Sequence, residues 1–301
     1  MTTTGVPLDT MPERLRRASL SRRRRVTDRV ATAAMWLSLA VAVLPLALVT
    51  YYVISKGLHV MSWGFLTERI PRQAMTTGGG VGPAIAGTLL ITGLAALIAI
   101  PLGVLGAVYL NEYGKQSPLA RTIRTMSDVM TGVPSVMMGL FVYIAFVLVV
   151  KEQTALAGAL ALACLMLPVV IRTSEEMLRL VPDELRQASL ALGSRRWRTT
   201  VSVVLPAALS GITSGALLAI ARAAGETAPI VLVVGLTYKT NWHLYGGNTA
   251  LSAQIYRNAA EPFDAAVDRA WGAALTLVTV VLIMTLLGRF VASRFATKER
   301  A

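Results

Sequence analysis

Residues 199–229 read TTVSVVLPAALSGITSGALLAIARAAGETAP. From Thr199 to Ala221 no residue carries a charge. That length suits a bilayer-crossing helix, which needs ~20 mostly apolar residues. Two charges then fall within the same apolar run: Arg222 and Glu226, with Gly225 between them and Pro229 beyond. Read as one helix, positions i and i+4 share a face. Each charge costs ~2.5–3.5 kcal/mol at the centre of a span, against a gain of only ~0.3–0.6 kcal/mol for Leu, Ile, Val or Phe. The pair is therefore expected to face a partner or a watery path rather than lipid. Gly225 leaves backbone uncovered between the charges, and Pro229 is expected to end the hydrogen-bond ladder. Two readings stand. The pair neutralises itself within the helix, or Arg222 holds an anion while Glu226 orients it or accepts a proton-bearing oxygen from the ligand.

The same apolar texture recurs along the 301 residues. Charge-free runs lie between Arg29 and Lys56, between Arg72 and Glu112, and over 129–150, 154–171 and 270–288. Charged residues make up 15% of the chain and hydrophobic ones 54%, whereas soluble domains average roughly 25% charged. A soluble enzyme, a disordered chain and a secreted disulfide scaffold are excluded. The expectation is an all-α polytopic membrane protein with spans at about 30–54, 83–110, 129–150, 155–172, 207–236 and 270–292. Around them come a basic arm over 1–29, a membrane domain over 30–292 and a tail over 293–301.

Lys and Arg set the orientation. With the N-terminus inside, the inner segments hold 21 of them and the outer loops 7, which places both termini in the cytoplasm of a plasma-membrane protein. The formal charge of +13 and the run Arg22-Arg23-Arg24-Arg25 are read as topology signals against lipid headgroups. Nucleic acid is not expected as a partner, because no aromatic residues interleave the arginines as stacking platforms. The apolar run after them exceeds the roughly 7–15 residues of a signal-peptide core. Cys164 is the single cysteine, and His59 and His243 stand apart. No metal site, cofactor or catalytic residue is expected. Thr77–Pro83 reads as a flexible lead into the second span, and Tyr238, Trp242, Tyr245 and Tyr256 suit the membrane–water interface.

The inner connection over 173–206 is too long for a hairpin and too regular for a linker. Ser174 reads as an N-cap followed by first-turn acids, and Pro182 as a stop. A second helix follows, with Asp183 as its cap, and runs to a break at Gly193, with Arg195, Arg196, Trp197 and Arg198 after it. By periodicity alone these are two amphipathic helices lying on the membrane. Gly103, Gly106, Gly211 and Gly215 are read as close-packing positions, and Gly132–Ser135 as the start of the third span.

Gln187-Ala188-Ser189, three further residues, Gly193, nine more, then Val203-Val204-Leu205-Pro206 resembles the E-A-A-x-x-x-G-x9-I-x-L-P loop of ABC importer permeases. Gln187, Ser189 and Val203 depart from that pattern. The resemblance implies that Glu184, Gln187, Ala188, Ser189 and Gly193 contact a dimeric ABC ATPase. Arg222 to Pro229 further resembles the R-x-x-G-E-T-A-P signature of phosphate importer permeases of the PstA type. Leu167–Thr173 and Glu176–Pro182 are similar to the same family, and the likeness runs over residues 80–292. It implies a six-span type I importer permease subunit, with Arg172, Arg222 and Glu226 on the phosphate path. The implied partners are a second homologous permease, the ATPase dimer, an extracytoplasmic phosphate-binding protein, the phosphate ion and membrane lipid.

The chain carries no P-loop: its single Gly-Lys pair, Gly114-Lys115, is followed by Gln116 and has Tyr109 where the first glycine belongs. ATP chemistry must come from a partner. Rival readings are an ABC permease for another oxyanion or small solute, a proton-coupled secondary transporter using Glu226, and a scaffold with no transport role.

Overall fold

The computed structural model describes residues 22–295. Most of the basic arm expected over 1–29, and the end of the tail expected over 293–301, lie outside the described residues. All regular structure among the described residues is helical. The helices are α1 (Arg22–Val60), α2 (Trp63–Thr67), α3 (Gly82–Tyr113), α4 (Pro118–Gly132), α5 (Ser135–Val150), α6 (Ala155–Arg179), α7 (Asp183–Ala191), α8 (Arg196–Gly225), α9 (Ala228–Val233), α10 (Leu251–Ala259) and α11 (Asp264–Phe295). Five are long and apolar enough to cross a membrane. The count reaches six if α4 and α5, bent by 106° at their junction, form one broken span.

The chain divides into two compact units. The described residues of the first, 22 to 52, belong to α1, which is apolar from residue 30 to 52. The second, from Val53 onward, is organised around α6, which packs chiefly on α3 and α8. The faces of α6 are built from alanines: Ala155, Ala157, Ala159, Ala161 and Ala163 are all buried, against Ile91, Ala95 and Ala99 of α3 and Ala219 and Ala223 of α8. Lipid tails are as apolar as leucine, so close backbone approach rather than apolarity drives such packing. Gly103, Gly211 and Gly215 extend it. A Cβ on Gly103 would stand 2.7 Å from Val170, and one on Gly215 would stand 2.6 Å from Thr173 Oγ1.

Several local expectations are corrected. Ser174 does not cap a helix: it and Glu175 are buried inside α6, which runs on to Arg179. Asp183 is the first residue of α7 and Pro182 its cap. The helix of the fifth span does not start at about 207. It begins at Arg196, with a π-turn over Thr200–Val204 just before Pro206. Nor does it run through to 236. It stops at Gly225, because Pro229 lacks the N–H that would bond the Gly225 carbonyl and its ring would clash there. The third span gains a preceding helix, α4, and Gly132–Pro134 forms the sharp break before α5.

Thr77–Pro83 is tied down rather than loose. Gly80 N–H donates to the Arg69 carbonyl (3.0 Å) and Val81 N–H to the Phe65 carbonyl (2.8 Å), while the buried Arg269 guanidinium bonds the Thr76 and Ala74 carbonyls. Trp242, Tyr245 and Tyr256 are exposed, whereas Tyr238 is half-buried with the Arg72 guanidinium 6.0 Å from its ring centroid.

Gly215→Val should lower the thermal unfolding midpoint in detergent, because overpacking a filled contact costs about 1–3 kcal/mol. An unshifted midpoint would mean that α8 does not seat on α6 at Thr173.

Candidate functional site

The broken span of α4 and α5 lies, through α5, against α9, the short helix that follows the end of α8. The break at Gly132–Pro134 and the break at Glu226–Thr227 border one cavity of about 220 Å³, together with α6. Its lining includes Met130 and Ser135 beside the first break, Met166 and Val169 from α6, and Arg222 and Glu226 beside the second. Both sequence-predicted charges are thus brought to one cavity, although the shared-helix premise fails. Glu226 is the extended residue that ends α8 (ψ 127°), not a member of the helix.

The pair survives that change in a loose form. Arg222 Nε stands 3.7 Å from Glu226 Oε1, a separation too long for a hydrogen bond. The Arg222 side chain is 70% exposed and that of Glu226 19%. A guanidinium so placed, with its planar fork of donors, can meet a tetrahedral or planar oxyanion bidentately. The neighbouring carboxylate lowers the net charge and keeps such binding weak.

Arg172 stands elsewhere. Its Nη2 pairs with Asp128 Oδ1 of α4 at 2.9 Å, with both side chains about half exposed, and it is not among the cavity's lining residues. It lies within one turn of Val169 on α6, so it is next to the cavity along the helix rather than in it.

On the 173–206 connection, α7 buries none of its residues. Glu184, Gln187, Ala188 and Gly193 are exposed, and Ser189 is half-buried through a 2.9 Å hydrogen bond with Thr199 Oγ1. Gly193 has φ +82° with nothing around its missing Cβ, so it turns the chain where a side chain would strain it. Leu190, Leu192 and Trp197 are also exposed, an apolar surface consistent with a protein partner.

What holds this loop was not read from the sequence. Arg186 Nη2 meets Glu112 Oε1 at 3.0 Å, and its other donors reach Asp183 and the Val181 and Leu178 carbonyls. Beside it Glu175, 2% exposed, takes Arg124 at 2.8 Å and Arg179 at 2.6 Å. Arg124 further bonds the Leu110 and Lys115 carbonyls. Two buried carboxylates thus join α7 to the ends of α3, α4 and α6. The available signal was acidic residues at the ends of apolar runs, Glu112 and Glu175, each needing a buried cation.

Replacing Arg186 alone by Met should destabilise by about 3–5 kcal/mol, because Glu112 is left charged and buried. The double variant Glu112→Gln with Arg186→Met should recover most of that loss. A double-mutant cycle on thermal unfolding measures it, and additive losses would refute the buried pair.

The fold and site define a class: a multi-span α-helical membrane transport component, with a charged cavity at broken helices and an exposed helical loop. The chain belongs to the family of binding-protein-dependent transport system inner membrane components, whose profile matches residues 99–298. It is 45% identical over 285 residues to a Mycobacterium tuberculosis protein named phosphate transport system permease protein PstA 1, covering 91% of this chain and 92% of that one. A Yersinia pestis protein named phosphate transport system permease protein PstA is 38% identical over 276 residues, covering 92% of each. A solved bacterial alginate ABC transporter chain superposes with a TM-score of 0.63 at 17% identity, covering 91% of this chain and 98% of that chain. At that identity the likeness concerns the fold.

Proposed function

We propose that this chain is a permease subunit of an ATP-driven importer of inorganic phosphate, and that Arg222 and Glu226 form its share of the anion path. The observation that carries the reading is their convergence on one cavity, where the end of α8 meets the break between α4 and α5. Relatives named as phosphate permeases support the choice of cargo.

In this reading the N- and C-termini face the cytoplasm, following the excess of Lys and Arg on that side. The α7 loop, through Glu184, Gln187, Ala188, Ser189 and Gly193, docks on a dimeric ATPase. A second permease completes the path, and an extracytoplasmic binding protein delivers the ion. ATP binding closes the ATPase and carries α7 with it. The Arg186–Glu112 and Arg124–Glu175 pairs pass that movement to α3, α4 and α6, so the cavity opens alternately to either side. Arg172, one turn from the cavity and paired with Asp128, receives the anion on the inner side when that pair parts.

Phosphate at neutral pH still carries a proton and sulfate does not, so Glu226 can accept a hydrogen bond from one and repels the other. Labelled phosphate uptake at micromolar concentration, in cells lacking this chain, tests the cargo. Wild type should restore uptake only with its ATPase co-expressed, and cold sulfate and molybdate should not compete. Restoration without the ATPase would point to a secondary transporter, and competition by sulfate to another oxyanion. Glu226→Gln should lower the phosphate-to-sulfate uptake ratio, and an unchanged ratio would remove Glu226 from selectivity.

A further inference from the structure

The break after Gly225 exposes acceptors that a continuous helix would have used, and one of them is satisfied from far along the chain. Ser252 Oγ donates to the Glu226 carbonyl at 2.9 Å, and Ser252 is itself buried. Ser252 lies in the first turn of α10, in the loop between α9 and α11.

That end of α10 is seated firmly on α3. The Leu251 N–H donates to Thr88 Oγ1 at 2.8 Å, and Thr88 Oγ1 donates in turn to the Ala84 carbonyl. Beside Thr88, Gly87 lies so close under the Thr249 carbonyl and the Asn248 side chain that an added Cβ would overlap both. Asn248 Oδ1 also accepts from the Thr249 N–H at 2.9 Å. A run of contacts therefore leads from α3 through residues 248–252 to the backbone of Glu226.

We propose that Ser252 is a positioning residue for the anion cavity: its hydroxyl latches the backbone of Glu226 to the α10 loop, and so sets where the Glu226 carboxylate stands relative to Arg222. The Glu226 N–H still bonds the Ala223 carbonyl at 3.1 Å, but the chain turns extended at 226, and on its carbonyl side the Ser252 hydroxyl is the partner that holds it. Moving the α10 loop moves Glu226, and a partner acting on that loop is felt in the cavity without touching it. The proposal rests on the reading of Glu226 as a selectivity group, but the latch itself is testable without it.

Two measurements on the assembled complex in nanodiscs decide it. In hydrogen–deuterium exchange, Ser252→Ala should speed exchange of the amides between 223 and 234 by about fivefold, the effect of losing one buried hydrogen bond. Ser252→Thr, which keeps the hydroxyl, should restore slow exchange. In transport, Ser252→Ala should lower the phosphate-to-sulfate uptake ratio in the same direction as Glu226→Gln. Gly87→Ala, which displaces the seat with Ser252 intact, should do likewise. Unchanged exchange in Ser252→Ala overturns the latch whatever the cargo. Faster exchange with both anions slowed alike overturns the positioning role and leaves a structural bond. If wild type carries no phosphate, the cargo reading fails while the exchange result still decides the latch.

Discussion

A helix that ends in a buried place must find partners for its freed backbone groups inside the protein, because each one left unpaired is costly. The arrangement of this chain around α6 follows from that constraint. Pro229 cannot give the Gly225 carbonyl its helical bond, and α8 ends there. The Glu226 carbonyl then needs the Ser252 hydroxyl, and Ser252 needs the α10 loop folded back on α3. On the other side Gly132–Pro134 breaks the span of α4 and α5, and the two breaks meet across one cavity. Breaks of this kind are tolerated where they line a cavity, and here the cavity holds the Arg222–Glu226 pair.

The site and the loop are treated oppositely by the surrounding protein. Arg222 and Glu226 stand loosely apart at 3.7 Å, with the arginine largely exposed. Glu112 and Glu175 are buried and held by arginines at 2.6–3.0 Å. A group that must take up and release an ion gains from a weak, exchangeable partner. Groups that must pass on a displacement gain from short, buried contacts, since packed and paired elements move together.

Much of this was legible in the sequence, and the reasons differ by element. Charge-free runs disclosed the spans because a lipid-facing surface tolerates so few charges. Arg222 and Glu226 were visible because their presence inside such a run is costly. Gly103, Gly211 and Gly215 correctly marked close packing, since that approach leaves no room for a Cβ. Helix ends were less legible. Ser174 and its acids carry every local mark of an N-terminus, yet tertiary packing keeps them inside α6, with Glu175 neutralised by Arg124 from 51 residues away. Pro229 was expected to end the ladder, but the helix stops at Gly225, whose carbonyl the missing N–H would have bonded, so Glu226 leaves the helix face that i, i+4 spacing gave it. The α10 loop was read only for its aromatics, since the Ser252–Glu226 bond spans 26 residues and leaves no periodic trace.

The central claim is that Arg222 holds the passing anion rather than merely balancing Glu226. Phosphate uptake by the complex carrying Arg222→Gln, at wild-type assembly levels, tests it most directly. Loss of uptake at micromolar phosphate, with ATP hydrolysis still running, is the predicted result. Uptake equal to wild type would contradict the account and leave the pair as a structural feature of a broken helix.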